Sequence, residues 1–109
     1  LAVRTLKAAG YRVVQARTGQ DAVRLVRSAA CDPDILITDI VMHRMSGVEL
    51  AHTLREDRTD MPVLYISGHS EVDVRQLIVD AASEQFLAKP FAPAELLKRV
   101  ASLLAKARR

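Results

Sequence analysis

The 109-residue sequence predicts an α/β domain, a doubly wound parallel sheet with helices on both faces. Three observations carry that expectation. Short apolar runs at 35–37 (ILI), 63–67 (VLYIS) and 85–88 (QFLA) do not alternate with polar residues, the mark of strands covered on both faces. Segments with apolar residues at helical spacing lie between them. Strand and helix segments alternate along the chain, the order that builds a parallel sheet with right-handed crossovers.

Taken in order, Leu1 to Ala9 reads as the end of a helix, with Gly10 where a C-terminal cap belongs. YRVVQA (11–16) has the β-branched character of a short strand. Thr18-Gly19 turns the chain, and Ala22, Leu25, Val26 and Ala29 then fall at i, i+3, i+4 and i+7 of an amphipathic helix. Asp32-Pro33-Asp34 breaks that helix ahead of the buried run at 35–37. A further helix is expected from about Val48 to Glu56. Asp60-Met61-Pro62 leads into the strand at 63–67, and Leu77, Ile78 and Ala81 mark a helix from about Val72. The strand at 85–88 ends at Lys89-Pro90. Pro93 suits the first position of a final helix, whose apolar stripe is Leu96, Leu97, Val100, Leu103 and Leu104.

Composition bounds the function. The length suits a single domain spanning 1–109, and half of the residues are apolar while only 4% are aromatic. A net charge of +3, with Lys and Arg scattered until the tail at Lys106, Arg108 and Arg109, makes no electrostatic case for nucleic acid. Cys31 is the only cysteine, which rules out an internal disulfide and fits a reducing, cytoplasmic setting. No apolar run approaches the roughly 18 residues of a membrane span. His43, His52 and His69 have no ligand spacing with one another or with Cys31.

The polar strand ends point to chemistry. Asp39, Ser67 and Lys89 each close a predicted strand, and in a parallel sheet those ends share the edge where ligands bind. Taken singly, each has an ordinary role as turn residue, helix cap or solvated charge. Together, an acid, a hydroxyl and an ammonium form a phosphoryl site. The carboxylate can attack phosphorus to give an acyl phosphate, while the ammonium and hydroxyl bind phosphate oxygens. Gly68 leaves room beside Ser67.

At these residues the chain resembles the receiver domain of two-component response regulators. The likeness rests on PDILITDIVMHRMSGVEL around Asp39, PVLYISGH around Ser67 and FLAKPF around Lys89, and covers Leu1 to about Leu104. It implies the flavodoxin-like strand order 2-1-3-4-5 that this family shares. It also implies that Asp39 is the phosphoacceptor, that Ser67 is the phosphate-sensing hydroxyl, and that Lys89 is the family lysine. Phe86 matches the aromatic that reorients with the hydroxyl, and Lys89-Pro90 the bond that is usually cis. The backbone carbonyl of Val41 falls where the family ligates Mg²⁺. The implied partners are a histidine kinase or a phosphotransfer protein, with no nucleic acid and no membrane. The YISGH form and short basic tail look most like receivers of hybrid sensor kinases.

Two features depart from the family pattern. His43 stands where proline is common. No Asp or Glu precedes Asp21, so the family's first strand and the acidic pair that ends it are absent. Asp39, the Val41 carbonyl and water are a thin ligand set for Mg²⁺, and metal-dependent phosphorylation of this chain is expected to be weak. The expectation is therefore an N-terminally incomplete receiver domain; the alternatives are a rearranged sheet, or a dimer or other partner chain that complements the open edge.

The leading functional expectation is a phosphoacceptor signalling module, not an enzyme. The alternative is a pseudo-receiver or interaction scaffold that is not phosphorylated in this form. A phosphohydrolase of the haloacid dehalogenase type needs a second Asp at the position of Val41, and a dinucleotide enzyme needs a Gly-rich turn that is missing.

Overall fold

The structure, a computed structural model, describes residues 2–29, 32–39, 45–56, 60–67 and 84–107. Along the chain these form α1 (Ala2–Ala8), α2 (Gly19–Arg27), β1 (Leu36–Asp39), α3 (Gly47–Arg55), β2 (Val63–Ser67), β3 (Glu84–Ala88) and α4 (Pro93–Ala107). The strands form one sheet in the order β1-β2-β3, and both pairings are parallel. Leu36 lies opposite Val63 and Asp39 opposite Ile66; Val63 in turn lies opposite Glu84 and Ser67 opposite Ala88. The helix expected from Val72 lies outside the described residues.

Both faces of the sheet are covered, as the unalternating strands require. On one face Leu64 and Leu87 pack with Leu6 of α1 and with Leu96, Val100 and Leu103 of α4. On the other, Val63 and Tyr65 pack with Ala51 of α3. Beyond them Leu50, Leu54 and Met61 bind α3 to Ala22, Val23 and Val26 of α2. Val63, Leu64 and Leu96 are fully buried. The result is three layers, with α1 and α4 on one side and α2 and α3 on the other.

Local chemistry sets the helix ends. Gly10 ends the α1 segment with φ at +97°, a conformation that glycine adopts without a Cβ clash. Thr18 is the N-cap of α2, its hydroxyl accepting from the Asp21 amide at 3.0 Å. The expected turn at Thr18-Gly19 is thus the first step of a helix. Ala29 lies beyond the end of that helix and is exposed, so the inward stripe is Ala22, Val23 and Val26. Ser46 caps α3 in the same way through the Glu49 amide at 3.1 Å, while its own hydroxyl donates to the Glu49 carboxylate at 3.4 Å. Pro93 is the first residue of α4, as its fixed φ favours.

One expected strand does not form. Residues 11–16 carry no ladder, although Tyr11 and Val13 pack against the α1–α4 core and Val14 is 51% exposed. Residues 11–14 keep the inward and outward alternation of a strand, and no strand among the described residues pairs with them. Strand structure requires a hydrogen-bonded partner, and β-branched residues alone do not supply one. In the order 2-1-3-4-5 that neighbour is strand 1. Among the described residues no strand precedes α1, and the sheet has three strands where four were expected.

Gly19 makes a close approach between elements distant in sequence. It is buried, and a Cβ built on it would lie 2.7 Å from Met45 Sδ and 3.2 Å from Met45 Cβ and Cγ. The first turn of α2 is therefore seated on the residue that leads into α3.

Candidate functional site

The parallel sheet brings its carboxyl ends to one edge. Asp39 is the last residue of β1, Ser67 the last of β2, and Lys89 follows β3 directly. Register fixes their heights, since Asp39 lies level with Ile66 and Leu87, and Ser67 lies level with Ala88. Lys89 is thus one step past Ser67 and two past Asp39. That reach suits a long side chain folding back across the edge.

It does so. Lys89 Nζ lies 2.9 Å from Asp39 Oδ1, and both side chains are about half exposed (52% and 50%). At that exposure water screens the pair, which contributes at most about 1 kcal/mol to stability. The pair therefore does little to hold the fold together, and its interest is chemical. An open carboxylate is held with an ammonium donor at the sheet's ligand edge, accessible to an incoming group. The Lys89-Pro90 bond that follows is cis.

One register step below Asp39 lie Thr38, Tyr65 and Phe86. Thr38, 7% exposed, donates its hydroxyl to the Asp39 carbonyl at 2.9 Å. Tyr65, 1% exposed, stacks on Phe86 with ring centroids 5.7 Å apart and 27° between planes. Phe86 is partly buried and belongs to the α3-side cluster with Val48. Neither Thr38 nor Tyr65 stands out in the sequence, because the register that stacks Tyr65 on Phe86 joins residues 21 positions apart.

Of the residues expected at the site, the structure brings Asp39 and Lys89 into contact and sets Phe86 two strands from Asp39. Ser67 is fixed by its backbone place in β2. Val41, His43 and His69 lie outside the described residues, and His52 is exposed on α3. Receiver domains generally bind Mg²⁺ at the phosphorylation site. The described residues do not fit a Mg²⁺ by themselves. Lys89 occupies one oxygen of Asp39, and no group of three or more His, Cys, Asp or Glu among the described residues is placed to hold a metal. No helix among the described residues is long and apolar enough to cross a membrane.

Comparison with known proteins agrees with this geometry. Residues 1–101 match the family model of the response regulator receiver domain. Response regulator MprA of Mycobacterium leprae is 38% identical over 101 residues, which are 93% of this chain and 43% of the relative. MprA of Mycolicibacterium vanbaalenii is 37% identical over the same shares. The chain thus spans less than half the length of these curated relatives. A response regulator receiver protein from Sinorhizobium medicae superposes with a TM-score of 0.86 at 31% identity, covering 97% of this chain and 84% of that one. The signal receiver domain of a signal transduction histidine kinase from Syntrophus aciditrophicus gives 0.78 at 28%, covering 97% and 80%.

Proposed function

The chain belongs to the response regulator receiver domain family, and from that premise we propose that it is the phosphoacceptor module of a two-component phosphorelay, phosphorylated on Asp39 by a histidine kinase or phosphotransfer protein in the cytoplasm. The observation that carries the reading is the 2.9 Å contact between Asp39 and Lys89 at the carboxyl edge of the sheet. A carboxylate oxygen of Asp39 attacks the phosphorus of a phosphohistidine. The P–N bond breaks, the imidazole leaves with its electron pair, and an acyl phosphate forms on Asp39. Lys89 needs only a small movement to pass from the carboxylate to a phosphate oxygen, and the Ser67 hydroxyl donates to another. Phe86 follows the hydroxyl and changes the outer face of β3 and its neighbours. A local charge event so biases which partner that face accepts. On this reading residues 1–109 form one receiver domain.

The test is chemical. The chain is incubated with Mg²⁺ and a small phosphodonor, and its mass is measured before and after hydroxylamine. A one-phosphate adduct that hydroxylamine removes and that Asp39→Asn abolishes is the expected result, in this chain or in a form extended upstream. Absence of the adduct from both forms refutes the assignment.

A further inference from the structure

The chain has three methionines, Met42, Met45 and Met61, and the fold treats the two described ones differently. Met61 is 5% exposed and belongs to the buried cluster between α2 and α3. Met45 packs against the same cluster from its rim and is only partly buried, so solvent reaches it. Its sulfur stands where α2 begins. A Cβ built on buried Gly19 would lie 2.7 Å from Met45 Sδ, so an atom added on that side of the sulfur has no room. Ser46, next in the chain, is the N-cap of α3. Met45 thus meets the first turn of α2 and leads directly into the cap of α3.

We propose that Met45 is a modification site for hydroperoxides, and that its conversion to the sulfoxide unseats α2 from α3. A lone pair on Sδ attacks one peroxide oxygen, the O–O bond breaks, and an S–O bond forms. The departing hydroxide takes the proton from the transferred oxygen and leaves as water. The thioether is oxidised by two electrons and the peroxide is reduced. Three features select Met45. Partial exposure admits the peroxide, whereas Met61 must wait for the cluster to open. The residues that Met45 packs against, Leu50, Leu54 and Met61, offer the new S=O dipole no donor side chain. Gly19 leaves just enough space for a thioether, so the larger and polar sulfoxide has to turn outward and give up the contact. The change is reversible, since a methionine sulfoxide reductase restores the thioether, and the seat can therefore act as a switch. Met45 is six residues past Asp39, so the modification falls on the connection that leaves the phosphoryl edge. The proposal needs only the seat between α2 and Met45, and stands whether or not Asp39 accepts phosphate.

The experiment treats the full chain with hydrogen peroxide, in a Cys31→Ala background so that only thioethers react. Peptide mass spectrometry follows the gain of one oxygen at each methionine, while thermal melting and amide hydrogen exchange follow the fold. Met45 should oxidise at least about tenfold faster than Met61, which reacts only through local opening. The oxidised chain should melt about 4–8 °C lower and lose protection in α2 and the first turn of α3, and a methionine sulfoxide reductase should restore both. M42L/M61L, in which Met45 is the only methionine, should keep the whole response. M45L, a swap of similar volume, should abolish it. Met45 oxidation no faster than that of Met61, a melting temperature that does not fall, lost protection centred away from α2 and α3, or an equal response from M45L would each overturn the proposal. Site-resolved oxidation and reductase recovery need no substitution at Met45, so they decide the question even where M45L does not fold.

Discussion

Replacing Gly19 by Ala tests the packing that joins α2 to Met45, just ahead of α3. The added Cβ would meet Met45 Sδ at 2.7 Å and Met45 Cβ and Cγ at 3.2 Å. The sulfur can rotate away. The Met45 Cβ is fixed to the backbone and cannot, so backbone must shift. Overpacking of this kind costs about 1–3 kcal/mol. Ala in place of Gly at a helical position returns at most about 1 kcal/mol. The expected net loss is about 1–2 kcal/mol, read as a fall of about half to 1 M in the urea midpoint with the slope unchanged. The control is the same change made in Met45→Gly, which removes the Cβ with the rest of the side chain. There the obstruction is gone, and Gly19→Ala should be neutral or stabilising, a coupling of at least about 1 kcal/mol between the two positions. A rise in midpoint from Gly19→Ala alone, or an identical effect in both backgrounds, would refute the steric account.

Other perturbations separate fold from site. Lys89→Ala should change stability by less than about 1 kcal/mol in urea, because the Asp39 pair is half exposed, while it alters the yield or lifetime of the phosphate adduct; a large stability loss with unaltered phosphate chemistry contradicts the site reading. Leu96→Ala, at a fully buried position between α4 and the sheet, should cost about 2–5 kcal/mol in the same assay. In amide hydrogen exchange, residues 12–16 should exchange orders of magnitude faster than 63–66, which have ladder partners on both sides; comparable protection would mean that 11–16 has a strand neighbour after all.

Much of this architecture is legible in the sequence because it depends on local rules. Unalternating runs mark the buried strands, Gly10 marks the end of α1, and Pro93 marks the start of α4. The site is legible for a related reason. In a parallel sheet every strand's carboxyl end falls on one edge, so Asp39 and Lys89 can be placed together without knowing a single distance. The missing ladder at 11–16 has the opposite cause. Val13 and Val14 have the right propensity, but a ladder is made by a partner, and sequence character cannot report whether one is present. The Gly19–Met45 seat is hidden because it joins residues 26 positions apart.

Under the proposed function the Asp39–Lys89 pair also has a kinetic meaning. A phosphoryl donor arrives carrying negative charge, and a bare carboxylate would repel it on approach. With the ammonium in contact, the site presents almost no net charge to the donor, so the encounter is not slowed by repulsion. The pair is also weak enough that parting the two groups sets no barrier of its own. Once phosphate is attached, the same ammonium faces a larger negative charge without having to be recruited from solvent. In that proposal Lys89 is a counter-ion installed before the charge it would balance, which would make the resting site quick to approach and the modified site slow to lose its neighbour.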